Sequence, residues 1–356
     1  MIHYYKDSPQ GKIWYSGIIY KKGRLMINPS KETLESEGWI PYEPDPPSLY
    51  MGNDKLHEDV KLKKLFNKYP ESKDIVRLIT SGIVYHYSTW EVLFKGILSS
   101  ENINRGLAVL RAYSVNYMND SLEGLIIPRG ISKSEDRHFE GLLSSTKTKD
   151  GTVVSYPALE NPIYKRRKVA HEINAHNNKQ KLFSVSFSKE SDSVPMWNYY
   201  GHDGHGLSIG FDASYIVNQG YDLIECIYNK KISEKLAEYI YDSCYYISES
   251  EPLSIDFSII SKDSHFEYEK ECRIPLRQHY GQCCITKRNQ FHPIKYDIKR
   301  GIISPFVDVF LPIKAIREIW IGPTNDINLA EDSLRGWLTS IGMSWVKIVK
   351  SSAPFK

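Results

Sequence analysis

The stretch "LFSVSFS", residues 182–188, puts Ser184, Ser186 and Ser188 on one side of an extended chain and Phe183, Val185 and Phe187 on the other. A period of two is the signature of a strand with one apolar face. Extended patterns recur in "KIWYSGIIYKKGRLMINP", "GLSIGFD", "YDLIECIYN" and "REIWIGP", and "SWVKIV" reads as the last strand. Helical spacing appears irregularly between them, in "DKLHEDVKLKKLFNKYPESKDIVRLI", in "YKRRKVAHEINAHNNKQK", in two stretches between Lys231 and Ser261, and after a cap near Asn325. Strands and helices do not alternate as a doubly wound fold requires. The expectation is an α+β domain of mixed, largely antiparallel sheets with flanking helices.

A chain of 356 residues is long enough for one sizeable core and an appendage. Lys22 and Gly23 punctuate a hairpin, Pro29 and Ser30 open a helix that ends near Gly38, and Pro44, Pro46 and Pro47 mark a linker. Residues 1–48 therefore read as a small strand-and-helix module and residues 49–356 as the α+β domain.

The balance of 46 basic against 43 acidic residues gives no field that implies nucleic acid or membrane. No apolar run is long enough to span a bilayer, and the polar start "MIHYYKDSPQGK" lacks the core of a signal peptide, so a cytoplasmic location is expected. Cys226, Cys244, Cys272, Cys283 and Cys284 are odd in number and show no Cys-x-x-Cys spacing, which suits reduced thiols and no zinc site. His202 and His205 flank Asp203 without a converging third ligand. The glycines of "YGHDGHGLSIGF" follow a helix and precede a strand, the reverse of a phosphate loop.

Four constellations carry chemistry-bearing side chains. In "VYHYSTWEVLFKGIL", His86 lies near the end of a strand, and Ser88 or Thr89 caps a helix bearing Val92, Leu93, Gly96 and Ile97. His86 is either a site residue or a core histidine with one nitrogen satisfied. The serine row of residues 184–188 leaves room for a ligand or faces solvent, and Met196, Trp197, Tyr199 and Tyr200 form an aromatic helix in which either tyrosine offers a ring to a planar ligand. "SHFEYEKECRIPL" places Glu267, Glu269, Glu271 and Arg273 on one strand face, with successive carboxylates roughly 7 Å apart. Their repulsion is relieved by Arg273, by solvent or by a ligand. In "NYMNDSLEG", Asn119, Asp120 and Ser121 make a capped turn before a helix carrying Glu123.

These pieces resemble a widespread, uncharacterised bacterial family, a domain of unknown function. The motifs are "YHYS" at 85–88, "NDSLE" at 119–123, "SFS" at 186–188, "WNYYG" at 197–201, "GLSIGFD" at 206–212 and "EKECR" at 269–273, over roughly residues 80–325. A more distant similarity is to the ADP-ribosyltransferase fold. That resemblance implies cleavage of NAD, as substrate, and transfer of ADP-ribose to an unknown acceptor, protein or nucleic acid, in bacterial or phage defence or a toxin system. By position it implies that His86, with Tyr87, Ser88, Ser186 and Ser188 around it, contacts NAD. Tyr199 or Tyr200 would stack on nicotinamide, Glu271 would be the catalytic carboxylate, and Glu269 would steer the acceptor. The competing class is a non-enzymatic nucleic-acid or protein binding module that uses the basic segment from Lys165 to Lys181.

Overall fold

The computed structural model describes residues 65–117, 125–139, 182–243, 257–278, 291–299, 301–323 and 326–354. It also describes short strands at 3–8, 11–14, 18–21, 24–27, 40–42, 143–147, 153–157 and 283–285. The expected turn at Asn119–Glu123, the basic segment from Lys165 to Lys181, the helix after Ser30 and the proline linker lie outside these residues.

The chain divides into two compact units, Met1–Val60 and Lys61–Lys356. In the first, His3–Ser8 pairs antiparallel with both Gly11–Trp14 and Ile40–Tyr42, and Ile18–Lys21 pairs antiparallel with Arg24–Ile27.

The second unit is built on an eleven-stranded sheet. In chain order its strands are β1 (Ile83–Ser88), β2 (Leu107–Ser114), β3 (Leu182–Ser188), β4 (Leu207–Asp212), β5 (Ile224–Glu225) and β6 (Glu271–Arg277). Then come β7 (Cys283–Ile285), β8 (Phe291–Lys299), β9 (Ile302–Pro312), β10 (Ile316–Ile321) and β11 (Lys347–Lys350). The spatial order is β7-β8-β9-β2-β3-β1-β4-β10-β11, with β6 on β3 and β5 on β6. Every pairing is antiparallel except β10 with β11. The architecture is thus mixed α/β with a largely antiparallel open sheet and several helices.

Strand β3 organises this sheet. Its whole length, from Leu182 to Ser188, pairs with β6 along one edge, so β1 and β2 share the other. There β2 meets β3 at Phe183 and Ser184, and β1 meets it at Ser188. The sheet forks between those contacts. Phe183, Val185 and Phe187 turn to the main core, with Val84, Ile209, Phe211, Cys272 and Ile274. Four helices pack around the sheet or orient side chains near the fork: α1 (Ile126–Phe139), α2 (Val194–Tyr199), α3 (Lys230–Ser243) and α4 (Ile327–Ser340). Leu334 and Leu338 of α4 join the main core, while Ile127 and Ile131 of α1 pack on Leu236, Ala237 and Ile240 of α3 in a second one.

The strand expected over residues 266–274 forms only from Glu271 onward. Residues 264–269 make a tight helix that ends at Lys270, whose φ of 43° is left-handed. Glu267 is consequently exposed and does not share a face with Glu271. Thr89 rather than Ser88 supplies the cap after β1, accepting from the Val92 amide at 3.2 Å. The helix it caps, Val92–Ile97, is wound wide, with the Leu98 amide reaching the Leu93 carbonyl at 2.8 Å.

Two glycines give opposite expectations for added bulk. A Cβ at Gly206 would stand 2.3 Å from the Ser88 carbonyl oxygen, so Gly206→Ala must push two backbone segments apart and should cost about 1–3 kcal/mol or more. Gly336 sits exposed inside α4 with nothing within 4 Å of such a Cβ, so Gly336→Ala should stabilise by about 1 kcal/mol. Urea unfolding of the two variants, with midpoints moving in opposite directions, checks both.

Candidate functional site

A cleft of about 230 Å³ opens at the fork. One limb is walled by Tyr200, Lys262, Glu269, Glu271 and Arg273, the other by Arg111, Tyr113, Ser184 and Lys299, and His86, Tyr87, Ser186 and Ser188 lie between. The register across β3 and β6 accounts for much of this. Ser188 stands opposite Glu271 and Ser186 opposite Arg273, so the small hydroxyls and the charged pair share a face. That face is not open to solvent as a plain sheet surface would be: Ser184 and Ser188 are fully buried.

Glu271 and Arg273, two residues apart on β6, form a two-pronged ion pair. Nε donates to Oε1 at 2.7 Å and Nη2 to Oε2 at 2.8 Å. Lys262 Nζ donates to Glu271 Oε2 at 2.7 Å and also to Glu269 Oε2, whose other oxygen accepts from the Tyr200 hydroxyl at 3.0 Å. All four charged residues are at most 6 % exposed, and their formal charges cancel. Burial by itself pushes Glu271 up, but the charges of Arg273 and then Lys262 outweigh it and hold the carboxyl at about 2. For Glu269 burial prevails. Lys262 opposes it, the negative charge of Glu271 reinforces it, and the carboxyl stays above its ordinary value. The left-handed turn at Lys270 lets both carboxylates reach one ammonium, and Ser188 fixes that turn by donating to the Glu269 carbonyl at 2.7 Å.

His86 bridges the fork. Its register partner across β4 is Ile209 and its ring meets Phe187 edge-on at 5.9 Å, so it sits on the core side of β1. Nδ1 lies 3.0 Å from the Ser186 carbonyl oxygen. A carbonyl only accepts, so Nδ1 carries the hydrogen. Burial lowers the pKa of the ring, the bond to Ser186 opposes that, and the charge of Lys299 adds to the lowering. The ring is held neutral with Nε2 as its acceptor.

The tyrosines divide sharply. Tyr200 lies in the cleft, whereas Tyr199, its neighbour on the helical path, is 68 % exposed and does not line it. Ser88 is buried beside Leu207 and does not line it either. Tyr87 does. Its hydroxyl donates to the Glu190 carbonyl at 2.9 Å and accepts from the Ser193 amide at 3.1 Å, and its ring meets Trp197 at 4.9 Å. Trp197 in turn donates to Asp192 at 2.7 Å, which also accepts from the Ser352 amide at 2.9 Å, so α2 and Tyr200 are oriented by a clamp on their approach loop.

Sequence reasoning missed Lys262, Arg111, Tyr113 and Lys299. Lys262 stands alone in "IISKDSHF", and no local pattern marks it as the partner of two carboxylates. Among the described residues, no cluster of three or more His, Cys, Asp or Glu side chains is arranged to hold a metal, and no helix is long and apolar enough to cross a membrane.

Residues 196–274 match the model of a family described as protein of unknown function (DUF2971). The match is in keeping with the expected relation to an uncharacterised domain-of-unknown-function family. The matched segment carries Tyr200 and all four residues of the buried charge network, whereas His86, Ser184, Ser186 and Ser188 precede it. No curated protein and no solved structure gives a significant match to the chain.

The buried charge network makes stability depend on pH. Glu271 has a folded-state pKa depressed from 4.5 to about 2, so it contributes stability above pH 4.5 that is lost as pH falls toward 2, roughly 3 kcal/mol. Acid unfolding followed by circular dichroism should show this loss, and Glu271→Gln should flatten it. The same variant should cost about 3–5 kcal/mol at neutral pH, because Arg273 and Lys262 remain buried with one anion fewer.

Proposed function

We propose that the cleft is the site of an ADP-ribosyl transfer reaction with NAD as substrate. The observation that carries this reading is the meeting, in one cleft, of His86 from β1, the serines of β3, Tyr200 after α2 and the carboxylates at the start of β6. A volume of about 230 Å³ is below the roughly 300–1,000 Å³ of ordinary ligand pockets, so the cleft encloses the ribose and its immediate neighbours rather than a whole dinucleotide.

In this reaction the bond between nicotinamide and the ribose anomeric carbon breaks and its electron pair leaves with nicotinamide. Positive charge spreads over the ring carbon and oxygen. The acceptor's lone pair then bonds to that carbon and the acceptor's proton is released. A fixed carboxylate stabilises the positive stage more than the neutral start. Glu271 keeps its negative charge, yet Arg273 and Lys262 occupy its oxygens, so it acts as an anchored charge. Glu269, raised by burial, has Oε2 on Lys262 but Oε1 only on the neutral Tyr200 hydroxyl, which a substrate can displace, so it is the better base for the acceptor's proton. Neutral His86 supplies an acceptor for a ribose hydroxyl.

The full pairing of Glu271 also favours a second reading, in which the network is scaffold and the cleft binds a nucleotide without turning it over.

Because Glu271→Gln should unfold the site, the decisive variant is Glu269→Gln, which leaves Lys262 its bond to Glu271. Nicotinamide release from NAD is measured by chromatography, with cell extract supplied as acceptor. Wild type should release nicotinamide and Glu269→Gln should lose about a hundredfold or more in rate, with less loss of stability than Glu271→Gln. Undiminished release by Glu269→Gln sinks the transfer reading, and calorimetric NAD binding with no release supports the second.

A further inference from the structure

We propose that the limb of the cleft formed by Ser184, Arg111, Tyr113 and Lys299 is a subsite for the phosphate groups of a nucleotide. The inference names the phosphate end of the ligand within the same cleft, and it rests on reading that cleft as a nucleotide site.

Ser184 is the observation that points to a ligand. It is 3 % exposed, it lines the cleft, and its hydroxyl has no hydrogen-bond partner among the described residues. Buried hydroxyls are nearly always paired, and one that is not is a standing cost which an arriving acceptor relieves. Elsewhere in the same stripe the Ser188 hydroxyl is fully engaged, donating to the Glu269 carbonyl and accepting from the Glu190 amide. The difference lies in the fork: Ser188 sits where β1 closes on β3, and Ser184 sits on the limb that opens toward β2.

Cations converge on that limb from two other strands. Tyr113 of β2 is the register partner of Ser184, and the Lys299 ammonium of β8 lies 4.0 Å over the Tyr113 ring. Arg111, two residues before Tyr113 on the same face of β2, is paired with Asp297 and stacks 4.6 Å from the Phe306 ring centroid, which orders its guanidinium plane. The field of Lys299 extends to His86 in the middle of the cleft. The carboxylates of the other limb are meanwhile neutralised by Lys262 and Arg273, so an anion that enters beside Lys299 meets no uncompensated negative charge from them. A hydroxyl, an ammonium and a guanidinium facing one space are the donor set that phosphoryl oxygens take up.

The experiment is calorimetry on the full chain with inorganic pyrophosphate, ADP-ribose and adenosine as probes, for wild type, Ser184→Ala and Lys299→Gln. Pyrophosphate and ADP-ribose should bind wild type more weakly as potassium chloride is raised, and adenosine should bind poorly. Lys299→Gln should weaken ADP-ribose about tenfold and Ser184→Ala severalfold. The unfolding midpoint of Ser184→Ala should not fall, since no internal bond is lost. Equal affinities of all three proteins for pyrophosphate, or affinities indifferent to salt, overturn the proposal. The two readings fail separately. Loss of ADP-ribose binding in the variants, with no nicotinamide release by wild type, upholds the subsite and sinks the transfer reaction. Release with KM unmoved in both variants upholds the reaction and sinks the subsite.

Discussion

Two carboxylates and two cations buried on a single hydrogen-bond network decide the geometry where β6 begins. Taking any one of Lys262, Glu269, Glu271 or Arg273 out of water is expensive, and only the mutual pairing of all four makes the burial tolerable. That mutual dependence fixes geometry. Lys262 must approach β6, the chain must turn left-handed at Lys270 so that Glu269 reaches the same ammonium, and Tyr200 must lie where its hydroxyl meets the remaining oxygen. The network is a template on which α2, the tight helix before β6, and β6 itself are registered.

The fork supplies the space that the network faces. With β6 along one edge of β3 and two strands dividing the other, part of β3 would have bare backbone groups. His86 meets this need from the side by donating to the Ser186 carbonyl, and so holds the two half-sheets at a working separation. The expected alternative of a core histidine with one nitrogen satisfied describes this side chain, and the same ring lines the cleft.

How much of the molecule was legible in the sequence depends on the range of the forces involved. The alternation in "LFSVSFS" announced β3 and its two faces, and the period of the apolar residues announced α4, because both signals are local. The hairpin of β8 and β9 escaped notice, since "FHPIKYDIKRGIISPF" carries a proline in each strand and an exposed apolar set, Ile298, Ile302 and Ile303. The acidic segment before β6 looked like one continuous strand. What breaks it is tertiary: Lys262 draws Glu269 and Glu271 to one point, a positive φ at Lys270 results, and no propensity of Lys foretells it. His86, the serine stripe, Tyr200 and the two glutamates were legible as candidates by residue type. Lys262 was not, since a lone lysine gains its meaning from partners in other elements.

Among the described residues, strand β3 has no hairpin partner. It is bonded to β6 about eighty residues later in the chain, with 81 residues separating Ser188 from Glu269, and to β1 about a hundred residues earlier, with 100 separating Ser186 from His86. Nothing local can nucleate such a strand, so the chain must close long loops before the central element of its sheet has a neighbour. Assembly is then expected to be slow, with the Phe183, Val185 and Phe187 face waiting uncovered while the outer hairpin of β8 and β9, whose partners are adjacent, is already formed. The arrangement that gives the molecule its fork also makes the centre of the sheet the part most open to association with another chain during synthesis.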